Sequence, residues 1–112
     1  MRGIIFSLLL FSVTCIAETD FQAVLNAAES GDSNARVLVA YTYYFGEYRD
    51  GTKVEEDIAK AYAWASLANY QGHPDAKKLV NSIILKLKSR EVADALAGEY
   101  FKKYGAVKDS AN

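Results

Sequence analysis

Cysteine occurs once in this chain of 112 residues, at position 15, so no disulfide can form within it. Proline and histidine also occur once each, as Pro74 and His73. One histidine and one cysteine cannot build a structural zinc site without several carboxylates. The absence of alternating apolar and polar stretches argues against a β-sheet protein. Nor does the charge favour one sign strongly. Thirteen basic residues face 14 acidic ones, for a formal net charge of −1, which is no footprint for nucleic acid.

What is present begins with a basic start, Met1-Arg2, and a nearly unbroken apolar run from Gly3 to Val13. That run is too short to span a bilayer, and Cys15-Ile16-Ala17 places small residues where a signal peptidase reads. The expectation is a secretory signal over residues 1–17, cleaved after Ala17. Lipidation at Cys15 is the rival, but Ser12-Val13-Thr14 lacks the usual leucine three before the cysteine and the small residue just before it. No membrane span is expected once the signal is removed. The domain would then cover residues 18–105, with a polar tail at 106–112, and would be held by packing alone.

Charge is unevenly distributed along that remainder. Glu18 to Ala59 carries nine acids and three bases, whereas Lys60 to Asn112 carries five acids and nine bases. Such an order makes an elongated molecule dipolar and can steer a partner or a second copy.

The apolar pattern is helical almost throughout. Phe21, Val24, Leu25 and Ala28 make a first stripe, stopped by Gly31. Asp32 or Ser33 can cap a second helix from about Ala35 to Phe45, closed by Gly46. The loop GEYRDGTKVEE follows, with Asp50-Gly51 as its turn signal. A third helix starts near Asp57, carries Ile58, Ala61, Trp64, Ala65 and Ala68 on one side, and stops at Gly72. Pro74 suits the first turn of a fourth helix, whose apolar face is Leu79, Val80, Ile83, Ile84 and Leu87. Ser89 caps a fifth, with Val92, Leu96, Tyr100 and Phe101 expected to be buried.

Two glycine stops are alike. Ala27, Gly31 and Ala35 recur 41 positions on as Ala68, Gly72 and Ala76. The stretch Ala35, Val39-Ala40, Tyr43, Gly46, Val54, Asp57, Lys60-Ala61, Trp64, Ala68 and Gly72 resembles one complete Sel-1-like repeat, a relative of the tetratricopeptide repeat. Val39-Ala40 stands where that pattern has Leu-Gly, Asn69 replaces the second alanine of a pair, and the inter-helix loop is longer than usual. The resemblance implies an all-α, short right-handed α-solenoid of antiparallel helix pairs, about five helices in all. Its repeat-packing positions would be Ala35, Tyr43, Gly46, Asp57, Ala61, Trp64, Ala68 and Gly72. It further implies a non-enzymatic protein–protein interaction module or adaptor of a bacterial cell envelope, secreted or periplasmic.

Small residues at three- and four-residue spacings agree independently, since they let helices approach closely. Asp57 and Lys60 are spaced to pair on the helix surface. His73, between a glycine stop and a proline, reads as a turn residue rather than a catalytic base, because no nucleophile and orienter accompany it. Glu55-Glu56-Asp57 lacks the spaced ligands of a calcium loop and reads as a helix N-terminal charge cluster. No catalytic residue, metal or cofactor is expected. Tyr41, Tyr43, Tyr44, Phe45 and Tyr48 crowd one helix end and cannot all face one neighbour. Tyr43 is expected in the core, and Tyr41, Tyr44 and Tyr48 are the candidate partner-binding residues. The alternatives are a self-assembling structural protein, acidic half to basic half, and a small hydrolase.

Overall fold

A computed structural model describes residues 19–105. The expected signal, with Cys15, and the tail at 106–112 lie outside the described residues. Among the described residues there are five helices: α1 (Asp20–Glu29), α2 (Ser33–Phe45), α3 (Ile58–Gln71), α4 (Ala76–Ile84) and α5 (Arg90–Tyr104). Among the described residues the sole β pairing is an isolated bridge between Glu47 and Lys53.

Side-chain oxygens start four of the five helices. Thr19 accepts from the Gln22 amide, Asp32 from Ala35, Asp57 from Lys60 and Ser89 from Val92, each satisfying an otherwise orphaned N–H. Asp75 makes no such bond at α4. There His73 Nδ1 accepts from the Asp75 amide at 3.1 Å instead. With Nδ1 accepting, the proton sits on Nε2, which donates to Asn34 Oδ1 at 2.7 Å. His73 thus ties the α3–α4 turn to the start of α2.

The two similar glycine stops share a backbone geometry. The Asp32 amide donates to Ala27 O and the His73 amide to Ala68 O, both at 3.1 Å, across Gly31 and Gly72 at positive φ. Each is the long bond of a Schellman cap, which needs a left-handed residue where glycine costs nothing.

The helices pack in chain order, α1 on α2, α2 on α3 and α3 on α4, with α5 returning onto α3. The fold is therefore all-α, a short helical solenoid with α3 at its centre. Ala61, Ala63, Ala65, Leu67, Ala68 and Trp64 of α3 are all buried, so nearly its whole circumference is enclosed. Alanines keep the neighbouring backbones close, and Trp64 fills the space between α3 and α5. Its ring centroid lies 5.1 Å from that of Tyr100 and 5.0 Å from that of Tyr104. Each large side chain so buried stabilises the fold by about 1.5–3 kcal/mol.

The face of α5 differs from the expected one. Val92 is 61% exposed, while Ala93 and Ala97 are buried, with Leu96, Tyr100 and Phe101 only partly covered. Helices that approach closely place their smallest side chains at the contact, so the larger apolar groups move to its flanks. The stripe begins one residue later than Val92, at Ala93. Asp57 also acts otherwise than expected. Its carboxylate bonds the Lys60 backbone amide, while the Lys60 ammonium lies over the Tyr43 ring at 5.3 Å.

Candidate functional site

α2 ends in the sequence Tyr41-Thr42-Tyr43-Tyr44-Phe45, and helical geometry distributes these rings around the axis. Tyr43 turns inward, meeting Phe21 edge-on at 6.0 Å, and is half-buried. Burial, then Asp57 and Glu29, push its hydroxyl pKa up. Tyr41 and Phe45, one turn apart, lie parallel with ring centroids 6.1 Å apart and planes within 2°. They remain 40% and 66% exposed. Tyr44 is half-covered and meets Phe45 edge-on at 4.9 Å.

Tyr48 does not join this surface. It is only 3% exposed and packs on Phe21 at 5.7 Å. The reason lies in the loop, which doubles back as a tight hairpin. The Tyr48 amide donates to Thr52 O, the Gly51 amide to Tyr48 O and the Val54 amide to Gly46 O. Asp50 Oδ1 accepts from the Thr52 amide at 2.9 Å, which holds its carboxyl below the usual range. These bonds turn Tyr48 toward α1, so of the three candidate tyrosines only Tyr41 and Tyr44 face outward. Phe45, the most exposed ring of the group, takes the third place.

The Tyr41–Phe45 pair forms a ridge between two recesses. On one side a groove of about 610 Å³ runs between α2 and α4, lined by Tyr41, Tyr44, Phe45, Asp75, Lys78, Leu79 and Ser82. On the other a recess of about 240 Å³ is bounded by Leu38, Tyr48, Glu47 and Arg49. The Lys86 ammonium lies over the Tyr44 ring at 4.7 Å, bringing the far end of α4 against the same helix. A third recess, of about 410 Å³, lies elsewhere, where Ile58 and Asp57 meet Leu87 and Val92.

His73 has both ring nitrogens engaged, by Asn34 and the Asp75 amide. Among the described residues no group of three or more His, Cys, Asp or Glu side chains is placed to hold a metal ion.

Sequence reasoning missed a buried polar group that ties several helices together. Arg36 is fully buried. Its Nε donates to Ala28 O at 2.8 Å, Nη1 to Gln71 Oε1 at 3.0 Å and Nη2 to Tyr104 O at 3.3 Å. Ala28 and Tyr104 lie in the last turns of α1 and α5, where carbonyls lack intrahelical partners and the helix dipole is negative. Gln71 Nε2 donates onward to Gly31 O at 2.7 Å. The signal was an arginine amid the apolar run ARVLVA of α2.

These features define a small all-helical protein of solenoid type with an aromatic-ridged groove between α2 and α4. No protein-family model, no curated protein and no solved structure matches the chain. Among the described residues no helix is long and apolar enough to cross a membrane.

Proposed function

We propose that this protein is a non-enzymatic protein–protein interaction module of the Sel-1-like repeat type, acting as an adaptor in a cell envelope. The observation that carries this reading is the exposed, parallel Tyr41–Phe45 pair at the edge of the α2–α4 groove. Exposed aromatics beside a preformed groove favour contact with a protein, because rigid rings bury much area at little entropic cost. The Gly3–Val13 run and Cys15-Ile16-Ala17 support export of the domain to a secreted or periplasmic location. The repeat-like positions from Ala35 to Gly72 support the family assignment.

The test is affinity capture with the tagged full chain from the envelope fraction of its own cell, beside a Tyr41→Ala/Phe45→Ala variant. A partner recovered reproducibly and lost in the variant supports the adaptor. Equal recovery by both proteins removes the groove from the account.

A further inference from the structure

The two walls of the α2–α4 groove differ in chemistry. The α2 wall is aromatic, and the helix, SNARVLVAYTYYF, contains no acidic residue. The α4 wall comes from AKKLVNSII, which has two lysines and no acid. Lys78 and Ser82 line the groove one turn apart. Lys86, just past the helix end, lines the neighbouring recess with Glu56 and Asp57 and reaches the groove's rim through its ammonium over the Tyr44 ring. Asp75 is the acidic residue of the lining, one turn before Lys78. Across the ridge Arg49 adds a further positive charge, while Glu47 is paired with Lys53 at 2.9 Å.

We propose that the groove binds an acidic peptide segment of a partner, with an aromatic side chain laid against Tyr41 and Phe45 and flanking carboxylates directed to Lys78 and Lys86. This deepens the adaptor reading and rests on it. Lys86 follows Lys78 by eight residues, six within α4 and two in the turn that continues it, where the Lys86 amide donates to Ile83 O, so the two stand about 12 Å apart along the axis. An extended strand covers that length in about four residues. The segment therefore carries carboxylates about four positions apart, with the aromatic residue between them. Asp75 repels a carboxylate placed beyond Lys78 and so limits the acidic run at that end.

The test uses the full chain and a fluorescently labelled peptide, Gly-Glu-Ser-Phe-Ser-Glu-Gly, read by anisotropy at low salt. A control peptide has lysine in place of both glutamates. The expected result is tighter binding of the glutamate peptide, weakened by salt as exposed charges are screened. In Lys78→Glu/Lys86→Glu the glutamate peptide binds at least about tenfold more weakly and the lysine peptide more tightly. Helical circular dichroism stays unchanged, since both lysines are exposed. No binding, equal affinity for the two peptides, or a preference that survives the charge reversal overturns the proposal. Salt-sensitive dimerisation that the reversal abolishes, without peptide binding, overturns it in favour of a second copy. A captured partner lost in Tyr41→Ala/Phe45→Ala but retained by Lys78→Glu/Lys86→Glu leaves the adaptor standing and removes the acidic ligand.

Discussion

Arg36 Nη1 donates to Gln71 Oε1 at 3.0 Å, joining the first turn of α2 to the last residue of α3 within the buried interior. Around that bond the guanidinium also reaches the final turns of α1 and α5, and lies 5.9 Å from the Trp64 ring centre. One side chain therefore links four of the five helices.

Arg36→Ala is expected to destabilise the fold by about 3 kcal/mol or more, because charge-assisted bonds are lost and buried acceptors are stranded. Arg36→Lys is expected to recover little, since an ammonium cannot reproduce the planar fork. Gln71→Ala should cost about 1–3 kcal/mol. Urea denaturation of the singles and the double checks this, and clear non-additivity is expected because the two side chains share a network. Additive losses would contradict a coupled node.

Tyr48 and Phe45 should respond oppositely. Tyr48→Ala removes a buried ring and is expected to cost about 3 kcal/mol or more. Phe45→Ala should stay within about 0.5 kcal/mol of the parent, as exposed positions usually do. Thermal melts of the two variants decide it, and similar losses would contradict the inward turn of the hairpin.

Two glycines make a second contrast. Gly46 closes α2 at φ 79°, and a Cβ there would stand 3.3 Å from Val54 O. Gly98 sits within α5 with nothing within 4 Å of an added Cβ. Gly46→Ala is expected to destabilise by about 1 kcal/mol or more, and Gly98→Ala to stabilise by about 0.4–1 kcal/mol. Denaturant midpoints read both signs.

Tyr100 ionises late. Burial, followed by Tyr104, Tyr43, Asp57 and Glu99, pushes its hydroxyl from 10.0 up to about 12. The neutral phenol is the form the folded state favours, so its stabilisation is fully present below pH 10. Above that pH the unfolded chain releases the proton first and stability falls toward pH 12. Tyrosine absorbance titration should show a late fraction that shrinks in Tyr100→Phe, with Tyr43 contributing the remainder, and the alkaline loss of stability should shrink in that variant.

Helix number and order were legible in the sequence because local devices set them. Asp32 and Ser89 cap their helices as their positions suggest, and Gly46 and Gly72 adopt the left-handed stops. Trp64, Ala61 and Ala68 are buried at the spacing their periodicity predicts. Tyr41 and Tyr44 could be singled out because three rings at 41, 43 and 44 cannot share one face.

Contacts between distant segments were not legible in this way. Val92 looks apolar and periodic, yet helix approach places Ala93 at the contact instead. Tyr48 sits in a polar loop, and only the hairpin's hydrogen bonds turn it onto Phe21. Arg36 stands in the apolar run ARVLVA, and only the tertiary fold brings two helix C-termini onto it. Which segments are helical and where they stop is written locally, since caps and glycine turns act over a few residues. Tertiary structure alone decided which side chains close the gaps between helices, since those partners lie up to 68 positions apart along the chain.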